Sequence, residues 1–106
     1  MDEEIEFKFI GWVYETDADG TKHDKVWTAF KVGDSYYAAW GKRNKALGFK
    51  NYGTSWRGER EQAKVMAQKQ RKYDEVDEFK LFALFPDFKE AMQTKLLFAT
   101  LAGKVR

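Results

Sequence analysis

The first half of the chain alternates apolar and polar side chains in short runs that turn-forming residues separate. Residues 5–15 begin with such an alternation, which is typical of a β-strand with one buried face, and Gly11 is a candidate for a bulge that resets it. Asp-Gly turn chemistry follows at residues 17–20. Further strands are predicted over residues 25–32, 35–40 and 46–52, with a second short turn at residues 33–34. Together these runs predict a four-stranded antiparallel meander.

The hydrophobic period changes after the fourth predicted strand. Between residues 57 and 73 the less polar side chains recur at steps of three and four, which predicts an amphipathic helix. Its predicted inner face consists of Ala63, Met66, Ala67, Gln70 and Tyr73. Acidic residues in the first turn and basic residues in the last turn suit the helix dipole, so both ends support the assignment.

A second helix is predicted near the C-terminus. Pro86 is well placed to open it, and the apolar run to Leu101 ends just before Gly103. Its apolar side chains, Leu96, Leu97, Phe98, Ala99 and Leu101, cover nearly every face. Such a helix is either enclosed in the core or partly exposed as an interface, and a homodimer through this helix is one such interface.

Composition and length define the class. The 106 residues contain no Cys and 17% aromatic side chains, so packing around large rings rather than disulfides holds the fold. We find no linker or repeat, and the prediction is a single α+β domain over residues 1–106. The acidic N-terminus and the lack of an apolar run of about 18 residues predict a cytoplasmic protein without a membrane partner.

Charge is strongly segregated along the chain. Between Lys42 and Lys72 there are ten basic residues and two acidic ones, whereas the flanking segments are net acidic. This central excess is typical of a protein that binds nucleic acid. The alternative is a protein-interaction module, such as a phage or bacterial inhibitor or adaptor, that uses the acidic N-terminal arms and the apolar C-terminal helix.

A short motif adds to the charge pattern. The predicted third strand ends in the tripeptide Trp40-Gly41-Lys42, and Arg43 follows it. Residues 25–78 resemble the WGR domain, a small module of DNA-dependent poly(ADP-ribose) polymerases and of short bacterial proteins. The resemblance also includes the strand aromatics Tyr36 and Tyr37, a loop with Gly48, a helix with Ala63 on its inner face, and the segment from Tyr73 to Val76.

The resemblance implies that the chain binds nucleic acid, with DNA favoured over RNA, and that a DNA end is the target. It implies that Trp40 stacks on a terminal sugar and that Lys42 or Arg43 meets a phosphate. With the neighbouring aromatic and basic residues, the candidate nucleic-acid site consists of Trp40, Lys42, Arg43, Lys45, Lys50, Tyr52, Trp56, Arg57, Arg60 and Lys64. The aromatics of the polar loop at residues 51–58 enter this set because its two glycines would let them adapt to bases.

Structural roles compete with these assignments. Trp40, Tyr52 and Trp56 can instead belong to the core, and the basic helix residues can simply be solvated. His23 has no Cys or second His to complete a metal or catalytic site, and the carboxylates at residues 74–78 lack the spacing of a calcium loop. We find no catalytic or cofactor motif, so the prediction is a non-enzyme without cofactor or metal.

Overall fold

The structure is a computed structural model. It describes residues 5–42 and 47–105, and the side chains in those ranges other than those of His23 and residues 98–105. The elements follow the order β1 (Ile5–Thr16), β2 (Lys22–Val32), β3 (Ser35–Lys42), β4 (Gly48–Gly53), α1 (Trp56–Gln70), β5 (Asp74–Glu75), α2 (Glu78–Leu84) and α3 (Phe88–Val105). The predicted α+β class is confirmed, with a fifth strand and a third helix added.

The five strands form one antiparallel sheet in the order β4-β3-β2-β1-β5. Two short turns set the registers of its first three strands. Gly20 and Gly33 adopt φ values of 88° and 58°, which tight hairpin turns require and which glycine reaches at low cost. The predicted meander is therefore confirmed for the described residues.

A bulge in β1 divides its aromatic side chains between the two faces of the sheet. The β1–β2 register shifts between Phe7 and Phe9, so the predicted bulge at Gly11 is wrong. Because one extra residue reverses the alternation, Phe7 packs with Phe30 on one face and Phe9 with Trp27 on the other. Each face of the sheet thus receives aromatic side chains and carries its own core.

The helices cover both faces. Helix α1 packs on the face that carries Phe9, Trp27, Ala29 and Ala38, which we call the α1 face. Residues of α2 and α3 pack on the opposite face, where the larger cluster of Ile10, Val26, Phe30, Tyr37, Ala39, Leu81, Phe88 and Met92 lies. Two layers of helix thus enclose one sheet.

The predicted inner face of α1 is correct only in part. Met66 and Tyr73 are half-buried and pack on the α1 face, as predicted, whereas Ala63, Ala67 and Gln70 are exposed. Gly58 and Gln62 are buried instead, with Val65 half-buried beside them. The Gln62 side-chain amide donates hydrogen bonds to the carbonyl oxygens of Phe30 and Tyr37, at 2.9 and 2.8 Å. Since a glycine and a glutamine supply the inner positions, hydrophobicity alone does not mark this face.

The C-terminal part contains two elements that the sequence did not predict. Residues 74–75 pair with Gly11 and Trp12 as β5, and the Asp77 side chain caps α2 by accepting from the Lys80 backbone N–H at 2.8 Å. The acidic segment thus ends the sheet and begins a helix. Pro86 lies in the turn between α2 and α3 rather than inside the last helix.

Helix α3 is only partly enclosed. Leu96 packs against the larger core cluster, whereas Leu97 is exposed. The predicted apolar side chains of Phe98, Ala99 and Leu101 lie outside the described side chains. No helix among the described residues is long and apolar enough to cross a membrane.

Candidate nucleic-acid interface

A pocket of about 570 Å³ opens on the α1 face, between the sheet and the C-terminal half of α1. Its lining includes the four aromatic side chains of Trp27, Trp40, Tyr52 and Tyr73 and four lysines, Lys25, Lys42, Lys50 and Lys69. The volume lies in the range of small-ligand sites, about 300–1,000 Å³. Aromatic and cationic groups therefore converge on one concave surface.

The turn between β2 and β3 places four residues of the pocket in two cross-strand pairs. The two-residue turn at residues 33–34 sets Val32 opposite Ser35, and the same register sets Trp27 opposite Trp40 and Lys25 opposite Lys42. Opposite residues of an antiparallel pair project from the same face of the sheet. A tryptophan pair and a lysine pair thus lie side by side in the lining of the pocket.

Trp40 is held by a glycine on the next strand. Trp40 pairs with Gly48 across β3 and β4, and a Cβ atom added at Gly48 would overlap the Cε2 and Nε1 atoms of the Trp40 ring. Its ring therefore packs on the bare backbone of β4. Trp40 nevertheless remains 39% exposed, while Trp27 beside it is buried. Trp40 is thus supported by the sheet and still accessible to a ligand.

Two tyrosines close the pocket beneath lysine side chains. The Lys50 Nζ atom lies 5.2 Å from the centroid of the Tyr52 ring, and the Lys69 Nζ atom lies 5.8 Å from that of Tyr73. Both distances suit cation–π contact. Burial raises the pKa of Tyr52, with the charge of Glu61 adding to it, and burial likewise raises the pKa of Tyr73. The two phenols therefore stay neutral at physiological pH.

The pocket is positively charged. Its described lining contains four lysines and no carboxylate. The Lys25 ammonium forms an ion pair with the Glu15 carboxylate of β1, at 2.8 Å. This hydrogen bond raises the pKa of Lys25 and lowers the pKa of Glu15. A positive pocket with exposed and half-buried rings is suited to a planar, anionic ligand.

The structure brings four predicted site residues together. Trp40, Lys42, Lys50 and Tyr52 all line the pocket. Lys42 does so from the end of β3, since this strand extends to Lys42, two residues beyond the predicted Trp40. Arg43 and Lys45 lie outside the described residues. Gly48 is the first residue of β4, as the strand predicted over residues 46–52 requires, whereas the resemblance implied a loop there.

Four other predicted site residues lie elsewhere. Trp56, Arg57, Arg60 and Lys64 do not line the pocket. Strand β4 runs from Gly48, beside Trp40, to Gly53, and at roughly 3.3 Å per residue its two ends lie about 17 Å apart. Helix α1 begins shortly after the Gly53 end, so its first turn is far from Trp40. Arg57, Arg60 and Lys64 follow one another at helical steps of three and four, on a stripe about 130° from the inner residues Gly58, Gln62 and Val65. These cations point away from the sheet.

The predicted adaptable loop at residues 51–58 is mostly regular structure. Strand β4 continues to Gly53 and α1 begins at Trp56, so two residues connect them. The Ser55 hydroxyl accepts from the Arg57 N–H at 3.2 Å, and the Asn51 side chain accepts from the Gly53 N–H at 2.8 Å. Trp56 is 65% exposed under the Arg57 guanidinium, 5.6 Å from the ring centroid. It is an isolated exposed ring at the start of a helix.

Sequence reasoning missed Lys25, Trp27, Lys69 and Tyr73. A signal for the first two was present, because a two-residue turn at 33–34 already places Trp27 opposite Trp40 and Lys25 opposite Lys42. Tyr73, which follows α1, was predicted to face inward but not as a site residue, and Lys69 needed the correct phase of α1. That phase depends on Gly58 and Gln62, whose inward position no hydrophobic pattern indicates.

Among the side chains that the structure describes, no group of three or more His, Cys, Asp or Glu is placed to hold a metal ion. Comparison with protein-family models, with curated proteins and with solved structures finds no match to this chain.

Proposed function

We propose that this chain is a non-catalytic nucleic-acid-binding module of the WGR type, with DNA favoured over RNA. The observation that supports this best is the position of Trp40: an accessible ring at the rim of a pocket in which the ionic side chains that the structure describes are all lysines. The tripeptide Trp40-Gly41-Lys42, on which the resemblance to the WGR domain depends, forms part of that pocket. The motif and the charge thus point to the same surface.

The chemistry of the pocket fits this ligand class. A base or sugar stacked on an accessible aromatic ring contributes about 1–3 kcal/mol, and this contribution depends little on base identity. Lys42, Lys50 and Lys69 line the same pocket as the ring and are suited to neutralise phosphates, which releases counterions. Recognition by stacking and charge predicts weak sequence preference and strong salt dependence.

A titration tests the proposal. Fluorescently labelled single-stranded, nicked and blunt duplex oligonucleotides are titrated with the protein at several salt concentrations from about 50 to 200 mM. We expect micromolar or tighter binding of at least one of them at the lowest salt, with a log–log slope of about −2 to −4, as a few phosphate contacts predict. No binding to any oligonucleotide at about 50 mM salt would reject the proposal.

A protein-interaction module is the second candidate. Two large apolar side chains support it, because Phe79 on α2 is 84% exposed and Leu97 on α3 is 57% exposed. Such side chains suit an interaction surface, and one possible partner is a second copy of this chain. If two copies associate there, a Leu97→Glu variant should stay folded and lose the self-association that light scattering measures. A wild type that is monomeric at high concentration would exclude the homodimer.

A further inference from the structure

The ion pair between Glu15 and Lys25 places a carboxylate next to the proposed phosphate site. Lys25 lines the pocket opposite Lys42, and its ammonium lies 2.8 Å from the Glu15 Oε2 atom. Glu15 is two residues beyond Val13, which pairs directly with Lys25, so Glu15 is a diagonal neighbour on the same face. The carboxylate thus reaches one of the four lysines of the pocket from the neighbouring strand.

Glu15 interacts with several cations of this region. Its hydrogen bond and charge interaction with Lys25 lower its pKa, and the charges of Lys72 and Lys42 lower it further. The carboxylate is therefore ionised at neutral pH. Its negative charge therefore weakens the positive potential that an anionic ligand meets at Lys25 and Lys42.

The pair is weak enough for a ligand to break. The Glu15 side chain is 46% exposed and that of Lys25 28% exposed. Solvent-exposed ion pairs stabilise proteins very little, so exchanging one acceptor for another at Lys25 costs little. A phosphate offers anionic oxygen acceptors as the carboxylate does, and both accept charge-assisted hydrogen bonds from a lysine ammonium group.

We propose that the Glu15 carboxylate competes with the phosphate of a bound ligand for the Lys25 ammonium, and so sets the affinity of the pocket for phosphate. This inference rests on the proposed function, because it concerns the same pocket. Glu15 is thereby an affinity-determining residue of the site that makes no contact with the ligand. Its removal frees Lys25 and lowers the local repulsion.

The strand itself offers a matched control. Glu6 also lies on β1, and its carboxylate forms an ion pair with the Lys8 ammonium at 3.2 Å, so Glu6→Gln removes the same charge from a similar exposed ion pair. In the β1–β2 register Glu6 lies opposite Lys31, at the other end of β2 from Lys25. At roughly 3.3 Å per residue it lies about 30 Å along the strand from Glu15. Any difference between the variants therefore reports position rather than net charge.

The experiment measures two phosphate probes, pyrophosphate and a single-stranded oligonucleotide, by quenching of tryptophan fluorescence and by calorimetry. We expect Glu15→Gln to bind both about two- to fivefold more tightly than Glu6→Gln, the range that an exposed ion pair supplies. The gain should disappear in a Lys25→Met background, as a double-mutant cycle requires for a coupled pair. Circular dichroism checks that all variants are folded.

The outcomes separate this inference from the proposed function. Equal affinities of Glu15→Gln and Glu6→Gln, or weaker binding by Glu15→Gln because the carboxylate orients Lys25, would overturn the competition while wild-type binding to oligonucleotides still supports the function. A gain with pyrophosphate without any oligonucleotide binding would reject the function and support the competition. Failure of wild type and variants to bind either probe would reject both.

Discussion

The Trp40 ring lies against Gly48, its partner across β3 and β4, so closely that no Cβ atom fits between them. The glycine leaves the backbone of β4 bare and lets the ring pack there. The indole thus has a fixed position at the rim of the pocket while 39% of the residue stays accessible. Preorganisation of this kind limits the entropy that a ring loses when a ligand stacks on it.

Gly48→Ala tests this arrangement. We expect the new methyl group to displace the Trp40 ring, which changes tryptophan fluorescence and weakens oligonucleotide binding severalfold. Gly41→Ala is the control, because no described atom lies within 4 Å of a Cβ added there, although Gly41 also lines the pocket. Equal binding by the two variants would show that the position of the ring is unimportant.

Substitution of Trp40 separates stacking from packing. Trp40→Ala should weaken oligonucleotide binding by about 1–3 kcal/mol, and Trp40→Phe should retain much of the affinity, because a planar ring remains. Since Trp40 is partly exposed, the alanine variant should lose less stability than the roughly 3–5 kcal/mol typical of a buried ring. Urea denaturation measures this. A larger loss would identify Trp40 as a core residue instead.

The lysines of the pocket and the cations on the outer face of α1 should contribute differently to oligonucleotide affinity. Lys50→Gln/Lys69→Gln removes two charges from the pocket, and Arg60→Gln/Lys64→Gln removes two from the outer face of α1. We expect the first variant to bind more weakly and to lower the salt slope by about one per lost phosphate contact. The second should change binding little. The reverse result would place the nucleic acid on the outer face of the helix.

Gln62 should be a major contributor to stability. Its amide donates to two backbone carbonyl oxygens beneath α1, and the residue is buried. Gln62→Ala leaves those acceptors without this donor, so we expect the free energy of unfolding to fall by about 1–3 kcal/mol in urea denaturation. Gln68→Ala, at an exposed position on the same helix, is the control. A Gln62 variant as stable as this control would contradict the anchoring role.

The sheet was predictable where local chemistry determines it. Alternation and short turns mark β1 to β3, and the Gly33 turn even fixes which tryptophans face each other. The bulge in β1 was not predictable in position, because Phe7 and Phe9 fit one apolar face equally well until the register shifts between them. A single extra residue decides which core each ring joins.

The pocket was predictable only in part. Trp40, Lys42, Lys50 and Tyr52 follow from charge and motif, but a linear charge count cannot separate cations that face the sheet from those on the opposite side of α1. The phase of α1 makes that division. It is set by the close approach of Gly58 to the carbonyl oxygens of Tyr52 and Gly53, each 2.8 Å from an added Cβ, and by the Gln62 hydrogen bonds.

The central claim is that nucleic acid binds in the pocket at Trp40, and the indole N–H signals of the four tryptophans test it most directly. In a two-dimensional NMR titration of the ¹⁵N-labelled protein with a single-stranded or nicked oligonucleotide, Trp→Phe variants assign the signals. We predict a saturable, salt-sensitive shift of the Trp40 indole signal, with that of the exposed Trp56 unchanged. A shift confined to Trp56, or no shift of Trp40 at saturation, would contradict the account.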